Sequence, residues 1–190
     1  MTHDLSEGPA GQAGPSRQPV GRDGLAAYIR DVPDYPQPGV LFKDITPLLA
    51  DAAAFAATVD ALAELAGDVD AVVGIEARGF MLAAPVAFRA GAGFVPVRKA
   101  GKLPAPTLSA AYALEYGEAV LELREGTLAP GARVLVVDDV LATGGTLAAT
   151  VGLLERSGAQ VVGIAVLLEI AALGGRQALP GRSISALLQA

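Results

Sequence analysis

Cysteine is absent from the 190 residues, and histidine occurs once, at His3. That excludes disulfides, a thiolate nucleophile, cysteine-ligated zinc and histidine as the general base. Positive charge is scarce as well: 14 Lys and Arg stand against 20 Asp and Glu, a net charge of −6 with a sequence pI near 4.7. Nucleic acid and anionic membranes are poor partners for such a chain, so any anion it binds must be held by a local site. The longest apolar run, residues 161–173, is interrupted by Glu169 and is too short to span a bilayer. Residues 1–22 are rich in Gly, Pro and Ser and lack an apolar core, so they resemble neither a secretory signal nor a helix. A disordered tail is expected there, ahead of a single domain over 23–190 in a cytoplasmic protein.

What the chain does have is core material, with 52% hydrophobic residues, and one dense motif. From Arg133 to Thr146 an apolar strand runs into two carboxylates and then a hydroxyl- and glycine-rich turn. Val134 to Val137 is too short and β-branched for a helix and too apolar for an edge, so it reads as a buried parallel strand. Asp138 and Asp139 then sit at its carboxyl end, where open α/β sheets bind ligands. Ala142, Thr143, Gly144, Gly145 and Thr146 can turn tightly, point N–H groups inward and start a helix whose positive end faces the same spot. That cradle suits a phosphate monoester, and the paired acceptors suit the two hydroxyls of a ribose. No Lys comes after the glycines, so it is not a Walker loop. The alternative is an ordinary strand-to-helix turn in which Asp139 caps the helix.

Period and punctuation give the remaining elements. Residues 25–30 read as a short helix, and Pro33, Pro36, Pro38 and Gly39 force an extended path into 40–45. Asp51 can cap a helix over 52–66. A buried strand at 71–75, a helix at 79–90 and a strand at 93–99 come next. Pro104 and Pro106 interrupt regular structure after that strand, 119–123 alternates like a strand of a flanking ribbon, and a helix at 145–156 leads to a strand at 160–168. The β-α-β alternation predicts an α/β fold: a doubly wound, mainly parallel sheet with helices on both faces.

Three further segments can carry chemistry. Glu76-Ala-Arg-Gly79 stands at the same sheet edge as the aspartates; Arg78 offers a planar fork to a phosphate, unless it merely pairs with Glu76. Arg98, Lys99 and Lys102 form the only dense basic cluster, which suggests a substrate with more than one phosphate, or else a solvated loop. Residues 101–117, with Pro, small residues, Tyr112, Glu115 and Tyr116, have the composition of a mobile flap. Glu115 would be its only carboxylate, able to stabilise a cationic transition state or handle a proton, or else it faces solvent.

Together, Asp31-Val-Pro-Asp-Tyr-Pro36, Pro38-Gly-Val-Leu-Phe-Lys-Asp-Ile-Thr-Pro47, Glu76-Ala-Arg-Gly-Phe80, Arg98-Lys-Ala-Gly-Lys-Leu-Pro104, Tyr112-Ala-Leu-Glu-Tyr-Gly117 and Val136 to Thr146 resemble the adenine phosphoribosyltransferases, of the type I phosphoribosyltransferase fold. The aspartate motif alone marks the broad phosphoribosyltransferase group; the flap and Phe42 segments point to adenine. The resemblance implies a flexible flap, a small N-terminal hood, a homodimer, and purine salvage: adenine plus 5-phosphoribosyl-1-pyrophosphate (PRPP) gives AMP and pyrophosphate, with Mg2+ carried by the donor's pyrophosphate. It implies that Asp138 and Asp139 hold the ribose hydroxyls and Ala142 to Thr146 the 5-phosphate. Arg78, Arg98, Lys99 and Lys102 would neutralise pyrophosphate, one of them reaching across from a neighbouring subunit, with Tyr116 also on the donor and Glu115 and Arg78 as the catalytic side chains. The adenine slot would be formed by Val40, Phe42, Lys43 and Ile170, Phe42 stacking on the purine, although Phe42 and Ile170 could simply be core. Lys43 stands where some family members have Arg. Two other readings stay open: a phosphoribosyltransferase for another purine, and a regulator that senses PRPP without turning it over.

Overall fold

The computed structural model describes residues 20–113 and 118–190. Its centre is a seven-stranded sheet in the order β5-β6-β4-β3-β7-β8-β9. The parallel part comprises β3 (Ala71–Ile75), β4 (Gly93–Lys99), β7 (Arg133–Leu141), β8 (Gln160–Glu169) and β9 (Ile184–Gln189). β5 (Thr107–Ala113) and β6 (Glu118–Arg124) form an antiparallel ribbon that continues it beyond β4. β3 and most of β7 are buried because helices cover both faces.

The strands' two-residue period divides the core. Val73, Val134, Val136 and Val166 pack with Leu147, Val151 and Leu154 of α4 (Gly145–Arg156). Val72, Leu135, Val137 and Ala165 pack on the other face with Leu82 and Val86 of α3 (Arg78–Ala90) and Leu62 of α2 (Ala52–Ala63). Asp51 caps α2 as expected, accepting from the Ala53 and Ala54 N–H groups at 2.9 Å.

The N-terminal region departs from expectation. Residues 22–28 form a 3-10 helix, and Arg30, expected to end a helix, begins strand β1 (Arg30–Pro33). β1 pairs antiparallel with β2 (Leu41–Asp44), from Arg30 opposite Asp44 to Pro33 opposite Leu41, making a two-stranded hood. A five-residue helix α1 (Thr46–Ala50) then leads into α2. Within the stretch read as a flap, residues 107–113 form β5, which pairs with β6 along its whole length, and Leu108, Ala110 and Tyr112 lie against the core cluster on the α4 side. Residues 114–117, and the tail over 1–19, lie outside the described residues.

Candidate active site

The site exists because β3 stops before β7 does. β3 pairs with β7 only as far as Gly74 opposite Val137, whereas β7 runs on beside β8 to Leu141. The chain leaves β3 through a cis Glu76–Ala77 peptide and enters α3 at Arg78. The last part of β7, with Asp138 and Asp139, therefore has a free flank. It opens into a cleft of about 860 Å³ roofed by the β1-β2 hood. Val40, Phe42, Lys43, Arg78, Lys99, Asp138, Asp139, Ala142, Thr146 and Ile170 all line this one cleft. Residues far apart in sequence and singled out for separate reasons thus share a wall.

The carboxylate pair is held under electrostatic tension. Burial pushes the Asp138 carboxyl well above its ordinary range, and the Asp139 charge beside it pushes the same way. Burial also raises Asp139, opposed by the Arg78 guanidinium. Asp138 Oδ1 accepts the Asp139 backbone N–H at 2.9 Å. Asp139 is 5% exposed, and its Oδ2, 2.8 Å from Arg78 Nε, receives no hydrogen bond because the Arg78 N–H is not aimed at it. A buried acceptor without a donor costs on the order of 1–3 kcal/mol, and a ligand hydroxyl is a suitable donor.

Arg78 joins the halves of the cleft. Beyond its ion pair with Asp139, it donates a hydrogen bond through Nη1 to the Lys43 carbonyl at 3.0 Å, and its guanidinium lies 4.6 Å from the Phe42 ring centroid. The Phe42 ring also meets Tyr35 edge-on at 5.1 Å. Arg78 therefore does not pair with Glu76. The Lys43 ammonium group pairs with Asp31 at 2.7 Å, and it is the Lys43 backbone carbonyl that meets Arg78.

The turn after β7 has the form of an anion cradle. Gly144 is left-handed (φ 84°) and provides no side-chain cap for α4, so the helix's first N–H groups keep their donor capacity. Asp139 does not cap it. A Cβ at Gly144 would run into the Gly175 carbonyl and come within 3.0 Å of Ala178, which is a packing reason for glycine beyond φ. Ala142 and Thr146 line the cleft; Thr143, Gly144 and Gly145 make the turn behind it.

The basic cluster splits. Lys99 lines the cleft, whereas Arg98 Nε and Nη2 reach Glu76 at 3.2 and 3.5 Å and its Nη1 reaches the Lys102 carbonyl at 3.2 Å. Burial pushes Glu76 upward, but the Lys99 N–H at 3.0 Å and the Arg98 guanidinium outweigh it and hold the carboxyl low. Lys102 is exposed and off the cleft wall. Glu115 and Tyr116 lie outside the described residues. Sequence reasoning missed Leu41 and Leu173, half-exposed apolar side chains on the cleft wall; nothing in their local pattern separates them from core residues. It also missed the Glu169–Arg176 pair, whose signal was the charge interrupting an apolar run.

Known proteins resemble this chain in both sequence and fold. Residues 42–178 match the family model described as a phosphoribosyl transferase domain. The chain is 68% identical to an adenine phosphoribosyltransferase of Kineococcus radiotolerans, covering 86% of this chain and 89% of that one. It is 64% identical to one of Streptomyces coelicolor, covering 86% and 93%. Among solved structures, the adenine phosphoribosyltransferase of Thermoanaerobacter pseudethanolicus superposes with a TM-score of 0.86 at 47% identity, over 89% of this chain and 99% of that one. The Saccharomyces cerevisiae enzyme, solved with an imino-altritol bisphosphate and adenine, superposes with a TM-score of 0.83 at 35% identity, over 88% and 98%.

Proposed function

We infer that this chain, which belongs to the phosphoribosyl transferase family, transfers the 5-phosphoribosyl group of PRPP to adenine, forming AMP and pyrophosphate. The observation that carries this is the shared cleft: a phosphate turn, a buried carboxylate pair and an aromatic slot face one volume, which suits a base and a phosphorylated ribose held together.

Charge assigns the roles. As pyrophosphate departs from C1 of the ribose, positive charge grows on the ring; Asp138 and Asp139 hold the ribose hydroxyls and favour that charge. Ala142 to Thr146 receive the 5-phosphate at the start of α4. Arg78 and Lys99 neutralise the leaving group, with Arg98 shaping the loop through Glu76. Phe42 stacks on the purine, and Val40, Lys43 and Ile170 border it. Glu115 acts on the base or on the cationic ring, and attack from the face opposite pyrophosphate inverts C1. Water excluded from the closed cleft cannot hydrolyse the donor.

Magnesium would enter with the donor, carried by its pyrophosphate. Asp138 and Asp139 are the carboxylates beside which it would lie, and its chemistry is to improve pyrophosphate as a leaving group. The proposal extends to a cytoplasmic homodimer. The outer face of α3, with Phe88 at 89% exposure and Met81 half-exposed, supports a second copy as its cover.

The test is AMP and pyrophosphate formation from adenine, PRPP and magnesium by the native protein, Phe42→Ala and Glu115→Ala. Native turnover is expected, with the adenine KM raised roughly tenfold in Phe42→Ala and kcat lowered roughly a hundredfold in Glu115→Ala. PRPP binding without AMP would replace this reading with that of a PRPP-sensing regulator.

A further inference from the structure

Glu169 ends β8 and is 5% exposed, an expensive place for a carboxylate. It is fully engaged. Arg176 Nε donates to Oε1 and Nη2 to Oε2, each at 2.8 Å, a bidentate fork, and Gln189 Nε2 donates to Oε2 at 3.3 Å. The third arm of the fork, Nη1, donates to the Ile184 carbonyl at the start of β9 at 3.0 Å.

This clamp closes a small loop with two working faces. Between Glu169 and Arg176 the chain makes a 3-10 turn at Ala171–Leu173 and enters another at Gly175–Ala178. Ile170, Ala172 and Leu173 line the cleft, and Leu173 is 46% exposed there although apolar. On the other side Gly175 is wedged behind the phosphate turn: a Cβ on it would strike the Ala142 carbonyl and approach Leu141 Cδ1 to 2.7 Å, while its own carbonyl fills the space next to Gly144. One short segment therefore touches both the slot for the base and the back of the phosphate cradle.

We propose that Arg176 is a positioning residue that, by clamping Glu169, sets the spacing between the base slot and the phosphate turn. The proposal rests on the assignment of the cleft to adenine and PRPP. Arg176 lines no part of the cleft; it acts through the 170–175 loop. A flexible lysine carries the charge but cannot make the planar two-point contact, so Arg176→Lys should loosen the loop in an otherwise folded protein.

The experiment compares native protein, Arg176→Lys, Arg176→Ala and Glu169→Gln, with Arg182→Ala as a control that breaks an ion pair elsewhere, Arg182 to Glu155 at 2.6 Å. Melting temperature and the separate KM values for adenine and PRPP are measured, with kcat normalised to folded protein. The expected result is that Arg176→Lys melts near the native protein while both KM values rise about tenfold or kcat falls by a similar factor. Arg176→Ala should be worse, partly restored by guanidinium ion below denaturing concentrations, and Arg182→Ala should keep native kinetics. Arg176→Lys with native values of both KM and kcat overturns the proposal, as does any variant that only melts earlier while its folded fraction turns over normally. Failure of the native protein to make AMP would instead overturn the assignment of the cleft, which separates the two outcomes.

Discussion

Gly79, buried in the first turn of α3, packs directly against Asp138: a Cβ on Gly79 would stand 2.7 Å from Asp138 Oδ1 and 3.2 Å from the Val137 carbonyl. The first turn of α3 approaches β7 this closely only because residue 79 has no side chain. Gly79→Ala must displace either backbone or the carboxylate, and the carboxylate is the softer of the two. The expected outcome is a loss of about 1–3 kcal/mol of stability together with a PRPP KM raised more than that of adenine. Urea denaturation and steady-state kinetics on the same preparation check it.

Asp138 is held where its charge costs stability. Its folded pKa is raised by burial and by Asp139, so the folded state takes up a proton more readily than the unfolded one. Stability therefore falls as pH rises from the ordinary carboxylate range through the raised value, and stays lower above it. Asp138→Asn removes that charge, while the amide oxygen can still accept the Asp139 N–H. The variant should gain about 1 kcal/mol near neutrality, little in acid, and should lose PRPP affinity. Thermal melts across pH with PRPP titrations measure both.

Glu76 has the opposite sign. Burial raises it, but the Lys99 N–H and Arg98 win, so its folded pKa is depressed. Its contribution is present above the ordinary carboxylate range and is lost as pH falls through the depressed value. Glu76→Ala should cost about 1 kcal/mol at about pH 7, discounted for the partial exposure of Arg98, and almost nothing once the pH has fallen below the depressed value. A difference between native and variant that stays constant over that range would contradict the assignment.

Legibility in the sequence tracked the range of the interactions. The strands at 71–75 and 93–99 and the helix at 145–156 were readable because apolar run length, Gly and polar flanks are local signals, and the structure has all three at those bounds. β9 was not, since its residues are half-buried and its pairing to β8 depends on a long return. The choice of partner for Arg78 was also closed to sequence. Glu76 is near in the chain, but the start of α3 turns Arg78 toward Asp139, the Lys43 carbonyl and Phe42. Glu169 shows the same limit: a charge in an apolar run can be read as an interruption, while its role depends on Arg176 and Gln189 closing over it.

Purine competition decides which base the cleft accepts. With PRPP limiting and magnesium present, adenine, hypoxanthine and guanine are supplied together at equal concentration and the nucleotides formed are separated and quantified. AMP is expected as the dominant product, with its share unchanged when the other two purines are raised in excess. IMP or GMP as the main product would contradict the assignment of the Phe42 slot to adenine, while leaving the carboxylate pair and the phosphate turn with their roles.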